Sequence, residues 1–493
     1  MAITSATGQV VGTAVPQALA TNYIDFTAGG VGETNGWAQQ YLPDLMEKEA
    51  EIFGNRTVSG FLSQVGAEEA MSADQVVWSE QGRLHLAYTA TAYGNGAGDG
   101  SVHEGIFTLI KDMDGNTVAN DKHGVRVGDM VLVTQAGATI RGWVSTVTGS
   151  STRITVKAYG NTNPDTAGLS DTATAEAFRI LVYGSEFAKG GSKRTGANTP
   201  QFKSFTNKPI ILRDMFHISG SDASQIGWVE VSGEAGQSGY LWYLKAEGDT
   251  RTRFADYLEM AMLESVTGAS NQVIDDDAGF GGNDGDNIGT EGLFSAIETR
   301  GHVSTGVTGV SAATDLAEFD AMLAKFDANG AIEENMMFVD RSTALAVDDM
   351  LASMNSYGSG GTSYGVFDND EDMALNLGFS GFRRGSYDFY KSDWKYLNDK
   401  GTRGALNDTV NAIRGAVIPA GVSSVYDQNL GKNLKRPFLH VRYRASQTDN
   451  RKLKTWVTGS VGATNSDLDA MEIHYLSERC LVVQGANNFM LLK

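Results

Sequence analysis

The sequence predicts an α+β protein that carries a separate all-β segment. Short β-rich runs separated by turn residues fill 105–185, which is typical of a small barrel or sandwich. The proline-free run at 239–264 has apolar residues at helical spacing. From 291 onward, helical and strand-like segments alternate, as they do in an α+β domain.

Composition bounds the class of protein. The chain has 493 residues, 41 % of them apolar, and a net charge of −20, so a buried core is expected and an overall basic surface for nucleic-acid phosphates is not. Its single cysteine, Cys480, excludes an intramolecular disulfide framework and lies in an apolar run, where we expect a buried, unreactive thiol. Residues 1–20 contain no Lys or Arg, so no secretory signal is expected, and no apolar run is long enough for a membrane span.

The first half of the chain divides into an arm, a short helix and β segments. Residues 1–36 lack a hydrophobic period and are interpreted as an extended arm, whereas 37–54 have helical spacing. Alternation at 74–93 predicts strands. About five strands are expected in 105–185, from the runs GIFTLI, GDMVLVTQ, TIRGWVSTV, TRITVKAY and AFRILVYG.

The run GYLWYLKAEGDTRTRFADYLEMAMLE at 239–264 predicts one long helix. Ser238 is the expected N-cap, and Gly248 is a point where the helix could bend. Its length would be about 40 Å at 1.5 Å per residue. The expected buried face consists of Leu241, Leu244, Phe254, Tyr257, Leu258, Ala261 and Met262.

The second half alternates helices and strands. We expect a helix at 314–330 capped by Thr314, a buried strand at 336–340, and a helix at 342–354 capped by Ser342. Strand-like runs return after 410, namely NAIRGAVIPA, RPFLHVRYRA, KTWVTGSV and RCLVVQGANNFMLLK.

Two segments could suggest chemistry. Gly361 to Gly365 match G-x-S-x-G around Ser363, but a nucleophile elbow needs a strand before it and a helix after it, so a flexible loop is the preferred interpretation. The second segment is an acidic cluster that consists of Asp275, Asp276, Asp277, Asp284 and Asp286. It lacks the Gly and the final Glu of an EF-hand calcium loop, so a solvated loop is preferred to a cation site.

Other motifs are absent from the sequence. No two histidines lie within five residues of each other, and neither phosphate-binding glycine motif occurs. The sequence therefore predicts no catalytic, cofactor-binding or metal site. Basic clusters are interpreted as structural or inter-subunit ion pairs in preference to a nucleic-acid groove; they are Lys193-Arg194, Arg383-Arg384, and Lys435-Arg436 with Arg442 and Arg444.

The order of these parts resembles the major capsid protein of tailed double-stranded DNA bacteriophages, a fold shared with encapsulins and the herpesvirus capsid floor. The likeness covers 37–104 and 186–493. The stretches that carry it are NKPIILRDMFHISGSD, the run at 239–264, GTEGLFSAIETRG, NMMFVDRSTALAVDDML, GAVIPAGVSSVYD and DLDAMEIHYLSERCLVVQGANNFMLLK.

The resemblance implies a tailed-phage major capsid fold of class α+β, with an all-β insertion domain in its extended loop. In that family the loop is a simple hairpin, whereas here it would span roughly 130 residues. The implied parts are an N-terminal arm and short helix at 1–60, an extended loop at 61–104 and 186–212, a β-barrel-like insertion domain at 105–185, a peripheral domain at 213–270 and 437–493 with the spine helix at 239–264, and an axial domain at 271–436.

The implied function is that of a structural virion protein and not of an enzyme. Hexamers and pentamers of the chain would form an icosahedral or prolate head shell around double-stranded DNA, without sequence-specific DNA binding, cofactor or membrane. Expected partners are further copies of the chain, a separate scaffolding protein, a portal and decoration proteins. The expected location is the virion capsid, after assembly in the host cytoplasm. The alternatives are a cell-surface array-forming or adhesive β-rich protein and a serine hydrolase that uses Ser363.

Overall fold

In the computed structural model the chain forms two compact units, each with its own core. The smaller unit is Trp78–Phe205, and the larger one consists of described residues on either side of it. The helix expected at 37–54 and the cap Ser238 lie outside the described residues. The structure describes residues 67–81, 85–95, 104–113, 115–120, 122–135, 137–148, 151–161, 177–191, 202–221, 241–268, 289–329, 332–355, 380–406, 412–420, 422–427, 432–461 and 465–493.

The described residues form both strands and helices, which confirms the α+β class. The strands are β1 (Ala67–Met71), β2 (Val76–Gln81), β3 (Ala87–Asn95), β4 (Glu104–Asp112), β5 (Asp129–Gln135), β6 (Ala138–Val147), β7 (Arg153–Ala158), β8 (Phe178–Ser185), β9 (Phe202–Asn207), β10 (Ile210–Ser219), β11 (His302–Ser304), β12 (Glu334–Val339), β13 (Ser380–Arg384), β14 (Tyr387–Asp393), β15 (Gly415–Pro419), β16 (Val422–Asp427), β17 (Lys432–Pro437), β18 (Leu439–Arg444), β19 (Lys454–Gly459), β20 (Ala470–Val483) and β21 (Met490–Leu492). The helices are α1 (Leu241–Glu264), α2 (Leu293–Arg300), α3 (Ala312–Ala328), α4 (Arg341–Asn355) and α5 (Lys395–Asn398).

The smaller unit is a closed antiparallel barrel with the strand order β3-β4-β7-β6-β5-β8. All five β-rich runs of the sequence form strands in it. Side chains alternate between core and surface, as in β5, where every second residue from Asp129 to Gln135 is buried. The core contains Phe107 and Phe178, whose rings meet edge to face at 5.3 Å.

The barrel begins earlier than the predicted range 105–185. Its strand β3 lies in the segment that the sequence assigned to the extended loop, and it pairs with both β4 and β8. Five strands alone would leave the outer edges of β4 and β8 without partners. The sixth strand closes both edges, which removes an exposed ladder. The barrel is preceded and followed in the chain by β2 and β9, which pair as a two-stranded ribbon.

The larger unit contains a five-stranded sheet built around the long strand β20. One edge of β20 pairs with β10, and its other edge pairs first with β19 and then with β18. Strand β1 adds to β18 in parallel orientation. The helix α1 packs against this sheet through a common hydrophobic core, so that the long helix predicted at 239–264 is present and lies on a sheet.

A six-stranded mixed sheet forms the other part of the larger unit, in the order β11-β21-β15-β12-β14-β13. Alternate residues of β12 point to opposite faces. Met337 and Val339 join a core with α3 and α4, whereas Phe338 joins a core with α1 and α2. The sequence grouped 437–493 as closing peripheral strands, but the last of them, β21, pairs with β11 and β15 in the mixed sheet.

Two helix caps differ from the sequence prediction. Ser311, and not Thr314, caps α3, because its hydroxyl accepts a hydrogen bond from the Thr314 backbone N–H. In α4 the cap is Asp340, whose Oδ1 accepts from the backbone N–H of Thr343 at 2.9 Å. Ser342 donates its hydroxyl to the same carboxylate. None of the described helices combines the length and the apolar character needed to cross a membrane.

We expect the substitution Gly248→Ala in α1 to stabilise the helix. A Cβ atom at Gly248 would meet no other atom within 4 Å, and alanine is favoured over glycine in a helix interior by about 1 kcal/mol. Slower hydrogen exchange of the surrounding amides and a higher urea midpoint would show the gain. The reverse change, Ala255→Gly, should speed exchange in the same helix. Faster exchange in Gly248→Ala would contradict the expectation.

Candidate functional site

The middle of α1 is fixed to the five-stranded sheet by apolar contacts. Phe254 and Leu258 are buried against Phe216, Ile473 and Tyr475 of the sheet. The rings of Phe254 and Tyr475 lie 5.9 Å apart. Burial of each such side chain stabilises by about 1.5–3 kcal/mol, so these contacts hold the helix along the sheet over its central turns.

The buried face of α1 differs from the predicted one at Tyr257, which is 48 % exposed. Its ring lies beneath the guanidinium of Arg253, 5.9 Å from its centroid, and Arg253 also contacts Asp214 of β10 at 3.1 Å. At its C-terminal end the helix buries Met262 and Leu263 completely, in the core shared with α2 and the mixed sheet. Because α1 contacts two different partners along its length, its buried face is not one straight stripe.

A carboxylate fixes the C-terminal end of α1. Glu264 Oε1 accepts hydrogen bonds from the Tyr396 hydroxyl at 2.7 Å and from Arg403 Nη1 at 2.6 Å. The same guanidinium lies over the Phe294 ring, 5.6 Å from its centre. Burial, followed by the Glu264 hydrogen bond and charge, raises the pKa of Tyr396 well above its ordinary value. Tyr396 therefore stays protonated and donates to the helix end.

A buried amide connects three segments of the larger unit. Asn207 Nδ2 donates to the backbone carbonyls of Leu481 at 2.6 Å and Glu291 at 3.0 Å. Its Oδ1 accepts from the Glu291 N–H at 2.9 Å and from the Thr290 hydroxyl at 3.0 Å. Asn207 thereby ties the end of β9 to β20 and to the chain entering α2. An unsatisfied buried amide costs about 1–3 kcal/mol, so these hydrogen bonds select one arrangement of the segments.

Strand β1 is held at the sheet edge by its ladder with β18 and by charged side chains. Glu69 pairs with Arg442 at 2.8 Å, and Glu68 contacts Lys452 and, at 4.0 Å, Arg479. No β1 side chain belongs to a hydrophobic core formed by the described residues. Partly exposed ion pairs contribute only about 0.2–1 kcal/mol each and are weakened by salt. The attachment of β1 should therefore be more sensitive to salt than that of β10 at the opposite edge of the sheet.

The sheet face opposite α1 carries a hydroxyl–imidazole contact that does not form a catalytic triad. The Thr458 hydroxyl lies 2.7 Å from His474 Nε2, and a Glu472 oxygen lies 3.4 Å from the same nitrogen. A triad needs the acid on the other ring nitrogen. The imidazole also stacks on Trp456 at 5.1 Å. His474, Trp456 and Met215 border an open depression of about 360 Å³, which suits a surface contact better than a reaction site.

Of the reactive and metal-binding candidates that the sequence singled out, the structure describes only Cys480. Ser363 and the acidic residues between Asp275 and Asp286 lie outside the described residues, and among the residues described no group of three metal-ligating side chains occurs. Cys480 is fully buried. Burial raises its pKa to about 12, so the reactive thiolate is disfavoured at neutral pH. The expected burial of this thiol is confirmed.

The ion-pair interpretation of the basic clusters is confirmed for the arginines that the structure describes. Arg384 donates from Nε and Nη2 to the carboxylate of Asp320 at 2.9 and 2.8 Å. Arg383 lies 3.6 Å from an aspartate of β14, and Arg442 and Arg444 pair with acidic residues at the β1 edge. Lys193-Arg194 and the side chains of Lys435-Arg436 lie outside the described residues.

Sequence reasoning missed Glu264 and Asn207. The partners of Glu264 lie 132 and 139 positions away, and Asn207 bonds Leu481 across 274 positions. The local sequence gives only a weak signal for Asn207, namely an amide side chain at the end of a strand-like run, just before Lys208-Pro209. Neither residue stands in a recognisable motif.

We expect Glu264→Gln to destabilise the larger unit by about 1–3 kcal/mol, because the charge-assisted bond to Arg403 is lost and the guanidinium stays partly buried. The urea midpoint measures this loss. Glu247→Gln in the same helix is the matched control and should leave the midpoint nearly unchanged. Equal decreases of the urea midpoint in the two variants would show that the Glu264 contacts contribute no more to stability than Glu247 does.

Raising sodium chloride from about 0.05 to about 1 M should speed amide hydrogen exchange in β1 more than in β10, because screening at that salt shortens the reach of charge to about 3 Å. Strand β10 is the internal control, since Phe216 and Ile218 anchor it in a hydrophobic core. The same change in both strands would indicate that ion pairs do not hold β1.

Comparisons with known proteins find only distant structural similarity. No family model matches the chain, and no curated protein matches it. Among solved structures, the chain is similar to the capsid of a native GTA particle, with 11 % identity, coverage of 92 % of this chain and 94 % of that chain, and a TM-score of 0.36.

Two phage structures show the same level of likeness. A chain from Microbacterium phage Oxtober96 is 10 % identical, with coverage of 92 % of this chain and 95 % of that chain and a TM-score of 0.34. A chain from Mycobacterium phage Bobi is 8 % identical, with coverage of 91 % and 94 % and a TM-score of 0.35. All three TM-scores are below 0.5, so the functional conclusion rests on the chain's own geometry.

Proposed function

We propose that this protein is the major capsid protein of a tailed double-stranded DNA bacteriophage. Copies of the chain form hexamers and pentamers, and these close into an icosahedral or prolate head shell around the DNA. The observation that carries the proposal is the way α1 is fixed: a helix of 24 residues, about 36 Å long at 1.5 Å per residue, lies on one sheet and ends in the core of another.

The arrangement supports the role of a stiff tile. One hydrophobic core contains Met262 of α1, Leu481 of the five-stranded sheet, and Phe338 and Leu491 of the mixed sheet. Close-packed interiors have low compressibility and transmit strain. A force applied at either sheet is therefore passed to the other, which is what a thin shell under internal pressure requires of its subunits.

The charge distribution supports containment of DNA without tight binding. The chain carries a net charge of −20, and arginines that could grip phosphates, such as Arg384 and Arg442, are paired with carboxylates of the same chain. Nucleic-acid affinity depends on cations available for phosphate contacts. A wall of this kind surrounds packed DNA without reading its sequence.

The proposal includes partners and a location. A separate scaffolding protein directs assembly, a portal occupies one vertex, and decoration proteins bind the finished shell. Assembly takes place in the host cytoplasm, and the mature protein resides in the virion capsid. The segments that flank the barrel in the chain, which contain β2 and β9, act as the extended loop between neighbouring subunits, with the barrel as its insertion.

Electron microscopy of the purified chain, alone and with a co-expressed scaffolding protein, tests the proposal. We expect five- and six-membered rings or closed shells of uniform size. Flat two-dimensional lattices would favour the cell-surface array instead. A chain that stays monomeric at all concentrations, with and without the scaffolding protein, would contradict the proposal.

The variant Ser363→Ala separates a shell protein from a serine hydrolase. A shell protein should assemble to the same extent with alanine at this position, because no nucleophile takes part in assembly. Particle yield by sedimentation and turnover of ester substrates are measured side by side on both chains. Ester turnover by the wild type that disappears in the variant would establish the hydrolase.

A further inference from the structure

The outer surface of the barrel carries a cluster of aromatic side chains, Trp143, Tyr159, Tyr183 and Phe187, which we call the aromatic face. Tyr183 is 47 %, Phe187 46 % and Tyr159 40 % exposed. Trp143 points outward because both residues that flank it in β6 are buried. Grouped exposed aromatic residues mark interaction surfaces more often than isolated ones do.

The aromatic face is held in place by contacts with the end of β8. Trp143 Nε1 donates to the Glu186 backbone carbonyl at 3.1 Å, and the Tyr159 hydroxyl donates to the Glu186 carboxylate at 2.5 Å. The Phe187 ring lies over Gly128, where a Cβ atom would come within 2.7 Å of two ring atoms. The side chains of Trp143, Tyr159 and Phe187 are therefore positioned before any partner arrives, which lowers the entropy lost on binding.

Folding of the barrel does not account for these residues. The barrel core is filled by other side chains, among them Phe107, Phe178, Ile154 and Ile180, and no member of the aromatic face belongs to it. A surface that is preformed, apolar and unused by the core is available for another molecule.

The charge of the barrel unit indicates which kind of molecule binds the aromatic face. Residues 78–205 contain 12 Lys and Arg and 11 Asp and Glu, a net charge of +1, so the rest of the chain carries −21. A polyanion finds almost no excess of positive charge on the barrel, and a basic partner is drawn to the acidic remainder instead. Two copies of the chain repel each other except where neutral surfaces meet, and the barrel offers such a surface.

We propose that the aromatic face binds the aromatic face of a second copy of this chain. A contact between identical patches relates two subunits by a twofold axis. Such a contact cannot close a ring of five or six subunits, so it connects subunits of different rings. This step rests on the proposed shell function and assigns the barrel a role in it, as a link between capsomers.

An engineered cysteine pair tests the contact directly. The native Cys480 is fully buried, so a Tyr183→Cys variant of the full chain has one accessible thiol. Under mild oxidation we expect a disulfide-linked dimer on a denaturing gel. Met113→Cys, at an exposed barrel position outside the aromatic face, is the matched control and should remain monomeric. Equal dimer yields from both variants, or none from Tyr183→Cys, would overturn the proposal.

A double variant, Tyr183→Gln with Phe187→Gln, measures the strength of the contact. Both side chains are exposed, so the barrel should keep its fold, which unchanged hydrogen exchange in β5 and β6 would verify. We expect particles to dissociate at about tenfold higher concentration than the wild type, since central aromatic residues carry much of the energy of an interface. Met113→Gln should leave dissociation unchanged.

The outcomes distinguish this inference from the proposed function. Wild-type and double-variant particles of equal stability, or a particle map in which the barrels stand apart, would overturn the contact and leave the shell function in place. If the wild type forms no particles, the shell function fails. The contact is then decided by sedimentation of the soluble chain: a dimer that the double variant weakens about tenfold supports it, and a monomer at all concentrations overturns it.

Discussion

The architecture of the larger unit depends on one buried cluster in which two sheets and three helices, α1, α2 and α5, meet. Met262 and Leu263 at the end of α1, Leu481 in the five-stranded sheet and Phe338 in the mixed sheet share this core with α2. Hydrophobic burial is not directional, so the cluster holds the elements together without fixing their register. Polar contacts at its border supply that register.

Asn207 and Glu264 show how such contacts work. Each makes several hydrogen bonds to residues that are distant in the sequence. A displaced arrangement would leave a buried amide or a partly buried charge unsatisfied, which costs more than the bonds contribute in net stability. The apolar core thus provides most of the favourable free energy, and the polar border excludes the alternatives.

Local patterns predicted much of the fold. The helix at 239–264 is present from Leu241 to Glu264, and the β-rich runs of 105–185 form strands, because side-chain periodicity is a property of neighbouring residues. Strands were predicted at 74–93, but β3 was assigned to the extended loop and not to the barrel, because closure is a condition on the whole sheet. Tyr257 was placed on the buried face by spacing alone, whereas Arg253 contacts its ring at the surface. The polar border could not be predicted, since nothing near Glu264 in sequence indicates Tyr396 or Arg403.

The path of the chain also has a consequence for biosynthesis. The barrel is one continuous stretch, so it can fold on the ribosome as soon as it emerges, whereas β20, the central strand of one sheet, and β21, an internal strand of the other, are made long after the last barrel strand. At roughly 5–20 residues per second, tens of seconds separate the two events. A nascent or prematurely terminated chain therefore lacks the central strand of one sheet and an internal strand of the other. The five-stranded sheet cannot reach its final strand order until β20 has been made, nor the mixed sheet until β21 has been made, so the larger unit has to fold after the barrel.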